Sequence, residues 1–266
     1  MSVLLLQLSG PLQSWGESSR FNSRYTRQEP TKSGVIGMLA CAQGRQREDD
    51  IADLLKLEFG VRADQRGSLV RDYETEHPTS YQLTSYQLKK LQKDDLPEMP
   101  VTYRYYLSDA LFVVALSARD RGVLETLEHA LDNPQWPLFL GRRSCPPAGR
   151  IVLGIRDDFT GVEDALANEP WHAQDWYKKR MCRRYHLQRK HGVRLEVARD
   201  ASGKEAQYFQ ADVPITFDSR HRRYASRGVI HDLVMVPYDA ETPVSQDTED
   251  EAPMFFPGDG YDPMNF

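Results

Sequence analysis

Cysteine is scarce in this chain, and its spacing excludes two common kinds of structural cross-link. The cysteines are Cys41, Cys145 and Cys182, an odd number spread widely over the sequence. They form neither the even-numbered framework of a disulfide-rich domain nor the close pairs of a zinc site. Such usage suits a reducing compartment, and we predict a cytoplasmic protein.

Long apolar segments and enzyme signatures are also missing. The apolar stretch Leu111–Leu116 falls far short of the ~20 residues that cross a bilayer. The amino-terminal "MSVLLLQLSG" lacks the basic region and cleavage site of a signal peptide, and it predicts a first strand instead. The chain contains no HExxH, GxSxG or Walker-type sequence. We therefore expect no membrane contact, no metal site and no cofactor.

Positive charge is absent from the carboxyl-terminal end. Residues 231–266 contain nine acidic side chains and no Lys or Arg, so residues 1–230 carry a net charge of +4. Within them, residues 171–230 hold fourteen Lys or Arg against six Asp or Glu. A basic body with an acidic tail is the pattern of a polyanion-binding protein. The alternative is an ordinary surface of mixed charge.

Hydrophobic periodicity predicts an α+β fold. Residues 1–156 follow the order β-α-β-β-α-β, with one helix near 31–44, capped by Thr31 or Ser33, and another that begins at Asp120. A further short helix is predicted from Asp49 or Asp50. The order is that of a ferredoxin-like or RRM-like domain, whose sheet commonly serves as a platform for single-stranded RNA.

Three further segments complete the predicted organisation. A polar excursion over residues 74–101 interrupts the first domain beside its third strand, and an excursion of that length inside a domain is usually functional or disordered. Residues 157–230 are predicted to form a small, basic, mostly β subdomain. Residues 231–266, with prolines among the acids, are predicted to be a flexible tail.

The segment "WPLFLGRRSCPP" predicts a phosphate-binding loop. Gly141 allows the backbone to approach a ligand closely, and Arg142, Arg143 and Ser144 supply donors to anionic oxygens. The prolines that follow place the segment in a loop, because they continue neither a helix nor a central strand. The alternative is a solvated turn.

The start of the first helix offers a second phosphate position. Lys32, Ser33 and Gly34 open the helix after a loop that contains several arginines. A helix amino terminus presents free N–H groups and the positive end of its dipole, both of which favour phosphate. The alternative is a capped helix without a ligand.

Histidines give the chain one possible catalytic pair. Cleavage of RNA without a metal requires a base for the 2′-hydroxyl and an acid for the leaving oxygen. His186 and His191 lie among arginines and lysines and are the only pair in a plausible RNA groove. Since binding alone explains those cations, we expect a protein that is not an enzyme, with a metal-independent endoribonuclease as the alternative.

Several blocks of the sequence resemble a known family. In order along the chain they are "LLLQLSGPLQSWG", "PTKSGVIGMLACAQG", "LVRDYET", "YRYYLSDALFVVAL", "LFLGRRSCP" and "PITFDSRHRRYASR". Together they span roughly residues 3–230 and are similar to CasD, the type I-E form of the fifth CRISPR-associated protein family. The resemblance implies an RRM-like fold with a glycine-rich loop at "LGRRSCP" and a thumb at 74–101. The acidic tail and the basic segment 171–194 depart from the family's pattern.

The resemblance also implies a function and its partners. It implies a non-catalytic subunit of the Cascade complex that holds the 5′ handle of the crRNA beside CasC and CasA and meets target DNA only through the guide. A protein-interaction subunit with little RNA contact is the other alternative. Aromatic residues beside basic ones suit single-stranded RNA, whose bases stack while its phosphates pair with cations. The candidate RNA-binding residues are Gln13, Trp15, Arg20, Arg24, Arg27, Lys32, Ser33, Gly34, Arg71, Tyr103, Arg104, Gly141, Arg142, Arg143, Ser144, Arg222, Arg223 and Arg227.

Overall fold

The computed structural model describes residues 1–16, 22–75, 101–185 and 192–236, with the isolated positions 85 and 89. Most of the predicted excursion and all of the tail beyond residue 236 lie outside these residues. Arg20, His186 and His191 also lie outside them. In the part of the chain that is described, no helix is long and apolar enough to span a membrane.

The chain alternates strands with a few short helices, which confirms the predicted α+β class. The α-helices are α1 (Lys32–Ala42), α2 (Arg121–Asp132), α3 (Val162–Asn168) and α4 (Asp175–Tyr185). The strands are β1 (Val3–Ser9), β2 (Leu12–Gln13), β3 (Ser23–Arg24), β4 (Glu58–Gln65), β5 (Ser68–Thr75), β6 (Val101–Ser108), β7 (Leu111–Ser117), β8 (Val152–Arg156), β9 (Val193–Ala201), β10 (Tyr208–Thr216) and β11 (Arg223–Val236).

The predicted helix starts are set by their capping residues. Thr31 caps α1 by accepting a hydrogen bond from the amide of Gly34, and Asp120 caps α2 in the same way. The short helix predicted from Asp49 or Asp50 is wrong, because only a 3-10 turn forms there, at Leu54–Lys56.

A seven-stranded antiparallel sheet forms the body of the protein. Its order is β10-β11-β9-β4-β7-β1-β8, so strands from both predicted domains lie in one sheet. The predicted division at 156 falls directly after β8, and the one at 230 falls within β11. Strand β11 pairs with β9 over nine residues, from Gly228 to Val236, which continues the sheet past residue 230.

Both faces of the sheet centre are covered. Leu4, Leu6 and Leu8 point into a core shared with α1 and α2, whereas Val3 and Leu5 pack on the opposite face with α3. All seven residues of β7 are buried for the same reason. The expectation that this sheet is an open platform for RNA is therefore wrong at its centre, because α3 occupies the second face.

A smaller sheet projects beside the body. Strand β6 pairs along its whole length with β5, and its other edge pairs with β2 and β3. The sequence did not predict β6, which follows the polar excursion. Strands β5 and β6 are the segments on either side of that excursion, and the predicted thumb itself lies outside the described residues.

Candidate nucleic-acid interface

The loop after Leu140 is held in one shape by its backbone. Gly141 has a φ of 86°, a left-handed conformation that favours glycine. A Cβ atom there would lie 1.8 Å from the carbonyl oxygen of Ser14. The amide of Ser14 donates to the oxygen of Leu140 over 3.1 Å, and the amide of Leu140 donates to that of Cys145 over 2.7 Å. Gly141 therefore allows the loop backbone to pack closely against Ser14, directly after β2. The sequence had suggested that the glycine allows the backbone to approach a ligand.

Cys145 fixes the end of this loop in the core. Its side chain is fully buried, and burial raises the pKa of its thiol. A neutral, buried thiol behaves as a small apolar side chain. The loop therefore has a rigid base, from which Arg143 and Ser144 are exposed.

Arg142 connects the loop to the small sheet. Its guanidinium carbon lies 4.9 Å from the ring centre of Tyr106 in β6, and its Nη2 donates to the carbonyl oxygen of Arg24 in β3 over 2.9 Å. Its Nη1 is buried and finds no hydrogen-bond partner among the described residues. Arg142 thus joins three segments and keeps one donor unpaired within them.

Four tyrosines and an arginine form an aromatic face on the small sheet, made of Tyr25, Arg71, Tyr73, Tyr103 and Tyr105. The rings of Tyr25 and Tyr105 stack with centres 4.9 Å apart, and those of Tyr73 and Tyr103 meet edge to face at 5.6 Å. The Arg71 guanidinium lies 5.4 Å from the Tyr103 ring centre. Tyr25 and Tyr73 are 54% and 58% exposed, which leaves ring surface for a stacked base.

The sequence identified only part of the aromatic face. Tyr25 and Tyr73 were not predicted, and the sequence placed either Tyr105 or Tyr106 in the core without deciding between them. Only Tyr106 is buried, since neighbouring residues of a strand point to opposite faces. The alternation of β6 was the signal that identifies Tyr103 and Tyr105 as one pair. Tyr73 lies opposite Tyr103 because β5 pairs with β6, and these strands are separated in sequence by the excursion.

Arg104 lies on the other side of β6 from the aromatic face. Its Nε lies 2.5 Å from a carboxylate oxygen of Glu74, and both side chains are about one-third exposed. An anion bound at Arg104 must therefore compete with Glu74. The structure separates Arg104 from its neighbour Tyr103, with which the sequence grouped it.

The amino terminus of α1 is already occupied by a carboxylate of the same chain. The amide of Lys32 donates to Asp212 Oδ2 over 2.9 Å. Its Nζ donates to Asp200 over 2.6 Å and to the carbonyl oxygen of Leu57 over 3.0 Å. Lys32 is only 5% exposed, so the predicted phosphate site at this residue is wrong. The Asp212 carboxylate supplies the negative charge that the amino terminus of a helix favours.

Arg227 belongs to the same buried ion-pair network. Its Nε and Nη2 donate to the two oxygens of Asp212 over 2.7 and 3.0 Å, and its Nη1 donates to Asp200 over 2.8 Å. The guanidinium also lies 5.1 Å from the ring centre of Phe59. Arg227 therefore joins β10, β9 and β4, and the prediction that it contacts RNA is corrected to a structural role.

Gln13 and Trp15 are also structural. Both are fully buried. The Gln13 amide donates to the carbonyl oxygens of Leu8 and Ala110, and its oxygen accepts from the Trp15 indole over 3.1 Å. A Cβ at Gly34 would lie 2.8 Å from the Trp15 ring, so this glycine makes room for the indole. These three positions present no face to a ligand.

The remaining candidates lie near the surface in two regions. Arg27 is half-buried, and its amide donates to the carbonyl oxygen of Trp15 over 2.8 Å. Ser33 is half-buried, with its hydroxyl 3.3 Å from that of Thr31. Arg222 and Arg223 are exposed where β10 leads into β11, at the end of the large sheet opposite β8. In the described part of the chain, no three His, Cys, Asp or Glu side chains are placed to hold a metal ion.

Comparison with known proteins identifies the family. The family model described as CRISPR-associated protein (Cas_Cas5) matches residues 3–230. The chain belongs to this family. The Cas5 match covers the loop, the small sheet and the large sheet as far as residue 230 of β11, and it confirms the resemblance found in the motifs.

Individual relatives agree with the Cas5 assignment. The chain is 34% identical over 197 residues to the CRISPR system Cascade subunit CasD of Escherichia coli (strain K12), covering 70% of this chain and 85% of that protein. It superposes on a chain of a CRISPR RNA-guided surveillance complex with a TM-score of 0.69 and 31% identity, covering 88% and 91% of the two chains. A second structure, described as a Cas protein, gives a TM-score of 0.62 and 34% identity, with coverages of 89% and 98%.

Proposed function

We propose that this protein is the CasD subunit of a Cascade surveillance complex and that it binds the 5′ handle of the crRNA. The relative of E. coli bears that subunit's name, and one solved structure of similar fold is a surveillance complex. The aromatic face and the loop 141–144 supply the two kinds of contact that single-stranded RNA needs, namely ring surface for bases and cations for phosphates.

The observation that carries the proposal is the connection made by Arg142. This residue joins the glycine loop to β3 and β6, the strands on which Tyr25 and Tyr105 stack. Its Nη1 is unpaired among the described residues but buried, so the exposed donors that this loop offers to a phosphate are those of Arg143 and Ser144. Arg143 and Ser144 extend the donors outward from the same loop. Because Tyr106 points away from Tyr103 and Tyr105, an RNA strand that meets both surfaces passes around the edge of the small sheet, with phosphates at the loop and bases on the tyrosines.

We assign the finer fold of residues 1–156 to the RRM-like type. The elements β1, α1, β4, β7, α2 and β8 follow the β-α-β-β-α-β order, and their four strands are neighbours in one antiparallel sheet. The small sheet is an addition, with β2 and β3 between β1 and α1 and β5 and β6 between β4 and β7. Because α3 covers the sheet centre, the RNA surface is placed on this addition and on the loop.

The proposed role is structural and not catalytic. Two described histidines already have partners that position them within the fold, since His172 lies 2.7 Å from Glu169 and His231 lies 3.1 Å from Glu29. We assign CasC and CasA as the neighbouring subunits, and contact with target DNA only through guide pairing. No cofactor enters this role.

The experiment replaces Tyr25 and Tyr73 by Ala in the assembled complex and measures the crRNA that copurifies. Each lost stack is expected to weaken RNA binding about fivefold or more, from ~1–3 kcal/mol per base. Phe209→Ala is the matched control, because Phe209 is 69% exposed on the edge strand β10. Equal crRNA in the double variant and the control would refute the assignment of the aromatic face.

The same preparation tests the non-catalytic role. Incubated with repeat RNA in EDTA, the protein is expected to leave the RNA intact. Discrete cleavage that is lost in His186→Ala or His191→Ala would favour the endoribonuclease alternative. A complex that assembles fully without RNA would favour the protein-interaction alternative.

A further inference from the structure

Helix α4 carries positive charge along one face. Its exposed side chains Trp176, Lys179, Arg180, Arg183 and Arg184, here called the basic stripe, follow one another at helical spacing. They line an open pocket of about 540 Å³. The single acidic residue of α4 is Asp175, at its start.

The opposite face of α4 fixes the direction in which the stripe points. Tyr177 and Met181 pack on a small core that contains Trp171 and Val236. Lys178 lies over the Trp171 ring, with its Nζ 5.7 Å from the ring centre. This core anchors α4 to β9 and β11, so the basic stripe faces outward.

The charge pattern is unfavourable for the helix alone. Like charges three and four residues apart repel on a helix surface, and Lys179 and Arg183 form such a pair. Arg183 and Arg184 are favourably placed near the carboxyl end of the helix dipole, but Lys179 and Arg180 gain little there. An external polyanion relieves this repulsion, and its phosphates provide the acceptors that arginines prefer.

Trp176 adds a chemical feature that charge does not explain. Its side chain is 47% exposed, whereas Trp15 and Trp171 are buried. The indole lines the same pocket as the cations. An exposed ring beside Lys and Arg is the combination that binds a base and its neighbouring phosphates.

We propose that the basic stripe is a second binding surface for single-stranded nucleic acid, separate from the handle surface. One base stacks on Trp176 while the adjoining phosphates contact Lys179 and Arg183. The proposal does not rest on handle binding, because its residues belong neither to the loop 141–144 nor to the small sheet. RNA and DNA both offer the bases and phosphates that this surface would bind, and the test distinguishes between them.

The acidic tail is the competing occupant of the stripe. The chain leaves β11 at Val236, in the core under α4, and the residues beyond carry eight acidic side chains without Lys or Arg. A tail of this composition neutralises cations, and its Phe255, Phe256 and Tyr261 offer rings to the indole. Truncation after Asp239 therefore decides between the tail and nucleic acid.

The first measurement is the salt dependence of binding to a short oligouridylate and to the matching oligothymidylate. The double variant Lys179→Ala, Arg183→Ala is expected to lower the slope of log affinity against log salt by about 1.4, or ~0.7 for each phosphate contact. The control Arg47→Ala, Arg119→Ala removes the same charge from two exposed positions elsewhere. If the stripe variant lowers the slope more for one oligonucleotide than for the other, the first belongs to the class of nucleic acid that the stripe binds.

The second measurement reports on Trp176 directly. In a Trp136→Phe background, Trp176 is the exposed tryptophan that remains, because Trp136 is itself 51% exposed. Either oligonucleotide is expected to quench its fluorescence, and Trp176→Ala is expected to weaken binding about fivefold or more. Circular dichroism confirms that each variant is folded.

Three outcomes would overturn the proposal. The first is a slope that the stripe variant and the control change equally. The second is absence of quenching at oligonucleotide concentrations that saturate binding. The third is that the stripe variant changes oligonucleotide binding only in a protein truncated after Asp239. That result would assign the stripe to the tail. Handle binding is read separately from the Tyr25 and Tyr73 variants, so either proposal can fail alone.

Discussion

Replacing Gly141 by Ala tests how strictly the loop geometry is required. The residue has a φ of 86°, and the new methyl group would lie 1.8 Å from the Ser14 carbonyl oxygen. Because Cβ atoms essentially never approach closer than 3.0 Å, the loop or Ser14 must move by about 1.2 Å. The nearby Ser14–Leu140 hydrogen bond, 3.1 Å long, is the first contact that this movement breaks.

The expected loss of stability follows from these two contributions. A left-handed conformation costs a residue other than glycine roughly 1–2 kcal/mol, and a lost backbone hydrogen bond adds ~1 kcal/mol. The free energy of unfolding should therefore fall by about 2–3 kcal/mol. For a protein of this size, 1 kcal/mol lowers Tm by roughly 2–4 °C, so Tm should fall by about 4–12 °C.

The same movement displaces Arg142 from Tyr106 and from the Arg24 carbonyl. If Arg142 makes one phosphate contact, the salt slope for single-stranded RNA should fall by ~0.7. Thermal melting and fluorescence anisotropy measure the two effects. Gly149→Ala is the control, since a Cβ at that position has no neighbour within 4 Å. A Gly141→Ala protein with the Tm and slope of this control would refute the reasoning.

Two further predictions concern ionised groups outside the loop. Asp212→Asn removes the negative partner of Arg227 and of the Lys32 amide, and the free energy of unfolding in urea should fall by ~3–5 kcal/mol while the RNA salt slope stays unchanged. A reduced slope with unchanged stability would instead place those cations at the RNA. The hydrogen bond with Glu29 raises the pKa of His231, so this pair stabilises the fold fully below the ordinary His pKa of about 6.5 and less as pH rises through the raised value. Glu29→Gln should lower Tm at about pH 5.5 and change it little at about pH 8.5; an equal change at both would contradict the ionic contribution.

Local signals explain which parts of the fold were predictable. The start of α1 depends on Thr31, whose hydroxyl accepts from an amide three residues away, and that of α2 on Asp120, whose carboxylate accepts from an amide two residues away. Strand β1 is a short, continuous apolar segment, and few secondary structures other than a buried strand suit such a segment. In contrast, β11 is fourteen residues long and largely polar or exposed, because it reaches the outer part of the sheet. Its periodicity is weak, and pairing with β9 and β10 decides its length.

The site was less predictable because its partners are distant in sequence. Lys32 pairs with Asp200, 168 residues away, and nothing around Lys32 in the sequence distinguishes a buried cation from an exposed one. The aromatic face depends on the register between β5 and β6, which meet across the excursion. The loop 141–144 was recognisable from its composition, but the contact of Gly141 with Ser14 was not.

Net charge becomes informative only after the buried cations are separated from the exposed ones. The +4 charge of residues 1–230 includes Lys32 and Arg227, whose charges are neutralised by Asp200 and Asp212 inside the fold. Long-range attraction of a polyanion depends on charges that remain at the surface, since internal pairs cancel at a distance. Exposed positive charge lies on Arg143 in the loop, on the basic stripe of α4 and at the start of β11, as well as at scattered positions such as Arg47 and Arg119. We therefore propose these surfaces for the polyanion binding inferred from composition, and not the amino terminus of α1, because the carboxylate of Asp212 already pairs with that helix end.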